Sequence, residues 1–121
     1  MNKLSSKGLD LYSNQILEDY DAKKPSQIFK NKVKISNEDA LLIQNKVTEL
    51  RVSRGEEIIG YKIGCISKDT QRKMDLSNPA RGTLWRHELH QSGVELNKRI
   101  ISILQWRQNL ELYLIEISIQ T

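Results

Sequence analysis

Residues Glu56 to Trp85, EEIIGYKIGCISKDTQRKMDLSNPARGTLW, constrain the fold more than any other stretch. Ile58, Ile59, Tyr61 and Ile63 form an apolar run with charge before it and a Ser-initiated polar segment after it, the pattern of a short, largely buried β-strand near residues 57–64. Alternation along a strand puts Ile59, Tyr61 and Ile63 on one face and Lys62 with Gly60 and Gly64 on the other. A lysine flanked by residues without side chains has two readings. Strand glycines mark places where a ligand or another backbone comes close, which makes Lys62 a charged group on the floor of an open cleft. Edge strands also carry lysine to discourage aggregation, which makes Lys62 a guard. The spacing leaves both open.

After this strand, Ser67 is placed to cap a short helix, Lys68 to Met74, with Asp69 suiting the positive end of its dipole. Asn78-Pro79 marks a turn, and Gly82-Thr83-Leu84-Trp85 opens a second extended segment near 82–86. Upstream, Leu9, Leu11, Ile16 and Leu17 fit a helix near 9–21, closed by Pro25, and Asp21 to Ile35 reads as a polar connection anchored by Ile28, Phe29 and Val33. Ser36 and Asp39 resemble a capping box ahead of a helix near 38–53, with Leu42, Ile43, Val47 and Leu50 as its apolar stripe and Gly55 as its left-handed stop. The expected fold class is α+β, with the N-terminal helices leading into strands of an incomplete mixed β-roll.

Composition narrows the function classes. The chain has 121 residues and is 38% hydrophobic, enough for one modest domain. Its 19 Lys and Arg are interleaved with 15 Asp and Glu, and aromatics make up 6%, so neither a basic arm nor a row of stacking platforms for nucleic acid is present. The single cysteine, Cys65, excludes an internal disulfide and a thiolate zinc cluster. Neither a signal-peptide core nor a run long enough to span a membrane is found, so the expected location is cytoplasmic. In Arg86-His87-Glu88-Leu89-His90 the histidines are three apart, whereas the zinc-peptidase pattern spaces them four apart; surface histidines are the plainer reading. Gly93, Val94 and Leu96 suggest a turn into a short strand.

The succession RVSRGEEIIG, GYKIG, a helical spacer and NPARGTLW resembles, over roughly residues 10 to 97, the N-terminal part of 2-keto-4-pentenoate hydratase and its relatives, the 2-oxo-acid hydratases and decarboxylases of the fumarylacetoacetate hydrolase superfamily. The resemblance implies that Lys62 matches the family's active-site lysine and that Gly82, Thr83 and Leu84 match a loop lining the substrate pocket. It implies Mg²⁺ or Mn²⁺ as cofactor in the intact family, bound by carboxylates of a Glu-x-Glu segment that follows an Asn-Pro-Ala-like sequence.

That segment is missing from residues 98–121, KRIISILQWRQNLELYLIEISIQT, where Leu110, Leu112 and Leu114 alternate as in a strand while Ile103, Leu104 and Trp106 settle no period. Codons permitted for Ile101 to Ser118 can be chosen so that the frame one base earlier spells F-N-P-A-M-E-A-E-F-G-V-V-F-N-R-D-I, which resembles the missing family segment. The expectation is a frame shift near Lys98 to Ile101, giving residues 1–97 as hydratase-like, residues 98–121 as an unrelated tail, and no metal bound by this chain.

Two classes of function remain. One is the N-terminal portion of a metal-dependent lyase adding water to 2-hydroxy-2,4-dienoates in aromatic compound catabolism, with a 2-oxo-3-enedioate decarboxylase as the sister alternative. The substrate would be a small 2-oxo or 2-hydroxydienoic acid, and a homo-oligomer is possible. The other is a non-catalytic helix-strand module that binds a partner, such as a full-length relative whose edge strand it mimics.

Overall fold

The computed structural model describes residues 3–24, 26, 28 and 34–95. Pro25, Phe29, Val33, Leu96 and the whole of the 98–121 tail lie outside the described residues. Helix α1, Ser6–Asp21, begins where the Ser5 side chain accepts from the Gly8 amide at 3.1 Å. It ends at Ala22, followed by Lys23 in the left-handed conformation at φ +57°. Helix α2, Asn37–Ser53, is capped by Ser36 Oγ, which accepts from the Asp39 amide at 3.1 Å, and Gly55 at φ +97° turns the chain after it. The Asp39 carboxylate accepts from the Leu4 amide at 3.2 Å and so ties the N-terminal residues to α2. The two helices pack against each other, and Ser13 and Leu17 are the buried residues of α1.

Strand β1, Ile58–Gly64, leads through Cys65 (φ +53°) to helix α3, Lys68–Lys73, capped by Ser67 Oγ on the Thr70 amide at 3.1 Å. The buried Gln71 side chain donates to the Cys65 carbonyl at 2.9 Å and holds α3 against the end of β1. Strand β2, Ala80–Trp85, then returns antiparallel to β1 and runs into a 3₁₀ turn, Arg86–Glu88. These elements give the α+β class read from the sequence, with a two-stranded sheet as its β part. Among the described residues no helix is long and apolar enough to cross a membrane.

The expectation of a largely buried β1 is overturned. No residue of β1 is buried, and Tyr61 and Ile63 are 53% and 56% exposed. Among the described residues the buried apolar side chains are Leu17, Ile43 and Trp85, so burial is concentrated at the Trp85 end, while Tyr61 borders a groove with Gln44 and Thr48 of α2. The α2 stripe also differs, since Asp39, Ile43 and Arg51 are buried while Leu42 is exposed. Between Ile58 and Gly60 the register slips, with Ile58 opposite Trp85 and Gly60 opposite Leu84, so Ile59 is the extra residue of a bulge.

Candidate active site

Beyond the bulge the ladder is regular, and Lys62 lies directly across from Gly82. Gly60 pairs with Leu84 and Gly64 with Ala80, so Gly60, Lys62 and Gly64 share one face with Ala80, Gly82 and Leu84. Lys62 is partly buried there, among residues of which only Leu84 carries more than a methyl group. Thr83 pairs with Tyr61 on the opposite face and lines, with Trp85, Ile43 and Val47, a groove of about 750 Å³ against α2. Of the three loop residues singled out in the sequence, the sheet thus brings Gly82 and Leu84 to the lysine and turns Thr83 toward the helices.

A second constellation, which the sequence reading missed, sits at the other end of the hairpin. Arg51, 7% exposed, lies between two aromatic rings, its guanidinium carbon 4.1 Å from the centre of the Trp85 ring and 4.6 Å from that of Tyr20. Its Nε and Nη2 donate to Glu56 Oε1 at 3.0 and 2.8 Å, and Nη2 also reaches Tyr20 Oη at 3.3 Å and Glu88 Oε1 at 3.4 Å. Tyr20 donates to Glu88, and His87 Nε2 stands 3.4 Å from Tyr20 Oη and 3.5 Å from Arg51 Nη2. Arg54 extends the network with a two-point bridge to Asp21 at 2.7 and 3.0 Å and a further bond to Glu56.

The electrostatics follow from these contacts. Burial and then the hydrogen bond to Glu88 push the Tyr20 hydroxyl up to about 12. Burial acts to raise the Glu56 carboxyl, but the hydrogen bonds from Arg51 and Arg54 outweigh it and hold the group below the usual carboxylate range. Arg54 likewise lowers Asp21. The charges here pair with one another, so the cluster is a clamp joining both long helices to the residues just before β1, to Trp85 of β2 and to the 3₁₀ turn. A signal for it exists in the sequence: Ile43, Val47 and Arg51 follow one another at i, i+4, which places Arg51 on the buried stripe.

His87 and Glu88 belong to this clamp, and His90 lies past the 3₁₀ turn. Among the described residues no group of three His, Cys, Asp or Glu side chains converges as a metal site would require. The described residues therefore do not fit Mg²⁺ or Mn²⁺.

A helical pair followed by a hairpin whose strands are joined through a short helix defines the class of fold. No protein-family description and no curated protein matches the chain. Among solved structures it is similar to 4-oxalocrotonate decarboxylase from Pseudomonas putida G7 complexed with magnesium and adipate, at 18% identity and a TM-score of 0.59 over 72% of this chain and 34% of that one. The same enzyme complexed with calcium and acetate matches at 19% identity and a TM-score of 0.56, over 71% of this chain and 34% of that one. The chain spans about a third of the length of these structures, and at such identity the similarity shows the fold.

Proposed function

We propose that this chain carries the lysine-bearing part of a 2-oxo-acid lyase of the fumarylacetoacetate hydrolase superfamily, of the 2-keto-4-pentenoate hydratase type. The observation that carries the reading is Lys62 on a face of the hairpin ringed by Gly60, Gly64 and Gly82, in a fold shared with a decarboxylase solved with a divalent metal. The substrate would be a small 2-hydroxy-2,4-dienoic acid, whose carboxylate is a natural partner for an ammonium group. Lys62 would hold that carboxylate or the neighbouring 2-oxo oxygen and keep a proton beside the carbon chain as water adds. Gly82 and Leu84 would border the bound acid, and Thr83 would act from the far side of β2. In the intact family Mg²⁺ or Mn²⁺ supplies polarisation of the 2-oxo acid. Because the described residues do not hold such an ion, the reading assigns this chain the lysine side of the site and expects background turnover from it alone.

The solved structures favour one second reading, the decarboxylase of the same group. The test begins with the DNA sequence across the codons for Asn97 to Ile103. The present and frame-extended proteins are then assayed by ultraviolet absorbance with Mg²⁺, on 2-hydroxypenta-2,4-dienoate for hydration and on 4-oxalocrotonate for decarboxylation. In the extended protein Lys62→Met should lower turnover by roughly a hundred to ten thousand fold while leaving the fold in place. Lysine-dependent turnover in the present chain would disprove the division of the site. Equal activity of the extended protein with and without the Lys62→Met substitution would leave the lysine as an edge-strand charge.

A further inference from the structure

We infer that Gln44 is a positioning residue for Lys62: it pins the register of the hairpin through the Arg81–Gly82 peptide, so that Gly82 is the residue across from the lysine. The inference rests on the lysine reading above and adds to it the side chain that sets where β2 stands. Residues seven apart fall on one face of a helix, and Asn37, Gln44 and Arg51 of α2 are seven apart. All three meet the 75–88 segment, in the same order along both. Asn37 Nδ2 donates to the Asp75 carbonyl at 2.5 Å, Gln44 Nε2 donates to the Arg81 carbonyl at 2.6 Å, and Arg51 stacks on Trp85 and reaches Glu88. The helix thus holds β2 before it starts, near its start and at its finish.

The outer members of this row have local reasons to be there. Arg51 is the hub of the clamp, and Asn37 holds Asp75, whose φ of +53° is left-handed. Gln44 has neither task. It lines the groove beside Ala40, Ile43 and Val47, where a polar side chain costs stability unless it is bonded. Its bond holds a peptide plane. Carbonyl and N–H of a trans peptide point in opposite directions, so an Arg81 carbonyl aimed at α2 aims the Gly82 N–H toward β1, where its register partner is Lys62. A hydrogen bond on one side of a peptide also strengthens the one on the other. The hairpin needs such a pin. A tight turn would fix the register, but here residues 65–79 join the strands, and glycine-rich strands such as these slip readily. A slip by one residue would set Arg81 or Thr83 across from Lys62 and turn every side chain of β2 to the other face.

The test uses the 121-residue protein labelled with nitrogen-15, and reads amide hydrogen exchange residue by residue. Gln44→Met keeps the length and the helix propensity of the side chain and removes its donor. It should speed exchange of the Gly82 amide about two- to tenfold, as loss of one hydrogen bond implies, with the Lys62 amide following and α1 unchanged. Gln44→Lys, which keeps a donor of slightly longer reach, should restore the original rates. Asn37→Ala removes a neighbouring bond of the same row and should leave Gly82 and Lys62 as they were. Equal acceleration in helices and strands would reduce Gln44 to a contributor to overall stability and overturn the inference. A Gly82 amide indifferent to Gln44→Met, one not restored by Gln44→Lys, or one that answers equally to Asn37→Ala would overturn it as well. The measurement reads no turnover: a lysine without effect on activity in the extended protein would refute the proposed function and leave the pin standing, so the two failures are distinguishable.

Discussion

The two ends of the hairpin are built on opposite principles. At the Trp85 end, Arg51 is enclosed by two rings and two carboxylates, and Trp85 itself is 4% exposed. At the Lys62 end the same strands present glycines on one face and a half-exposed Tyr61 and Ile63 on the other. One end is fixed by a network of paired charges and stacked rings. The other is held by the ladder, by Gln71 on Cys65 and by Gln44, which donates to the Arg81 carbonyl at 2.6 Å. The lesson is that contact density is uneven along one hairpin: the clamp fixes the end where β1 starts and β2 finishes, while at the other end Tyr61 and Ile63 stand half exposed.

The sharpest way to break this comparison is to remove the hub. Arg51→Met keeps much of the apolar stem but leaves Glu56 with Arg54 alone and takes Arg51 away from Glu88, and truncating one partner of a buried, hydrogen-bonded pair costs about 3 kcal/mol. Ile63→Ser at the open end removes a side chain already 56% exposed and should change stability by no more than about 0.5 kcal/mol. Thermal unfolding followed by circular dichroism should thus show a large fall for the first variant and almost none for the second. Similar shifts would mean that the open end is covered in solution.

A smaller effect concerns pH. Glu56 and Asp21 are held below their ordinary carboxylate values, so their contribution is present above the unfolded pKa of about 4 and disappears as pH falls through the lower folded values. Tyr20 is shifted the other way, to about 12; its contribution is present below the unfolded value near 10 and is lost as pH rises through the folded one. Melting temperature should therefore be level around neutrality and fall on both sides. Tyr20→Phe should flatten the alkaline fall while sparing the acid one, because the ring still stacks on Arg51 after the hydroxyl is gone. An alkaline fall unchanged by that substitution would place the titrating group elsewhere.

How much of this was legible in the sequence follows from the range of each interaction. Ser36 and Ser67 announce helix starts through contacts three residues away, and both are seen as caps. Lys62 sharing a face with Gly60 and Gly64 follows from the strand period, which holds on the inner side of the bulge. The bulge at Ile59 was not legible, because it arises where the Ile58–Trp85 pairing meets the Lys62–Gly82 register, and no local pattern announces that slip. The clamp was hidden for a similar reason. His87 and Glu88 read as a histidine-carboxylate pair until Tyr20 and Arg51, distant in sequence, arrive beside them. A burial guess for Tyr61 and Ile63 failed because apolar character states a preference for cover, not that cover is at hand.

A modest gain in stability is predicted between the helices, and it tests whether the clamped side is as well satisfied as it looks. Ser13 is fully buried in α1, and its hydroxyl finds no hydrogen-bond partner among the described residues. A buried hydroxyl without a partner has given up water for nothing, at a cost of about 1 to 3 kcal/mol, part of which an apolar residue of nearly the same size recovers. Alanine also has the higher helix propensity, and the small volume that lets α1 and α2 approach is preserved. Ser13→Ala should therefore raise stability by about 1 kcal/mol, read as a higher denaturation midpoint with an unchanged slope in urea. A loss of stability would show that the hydroxyl does have a partner in solution.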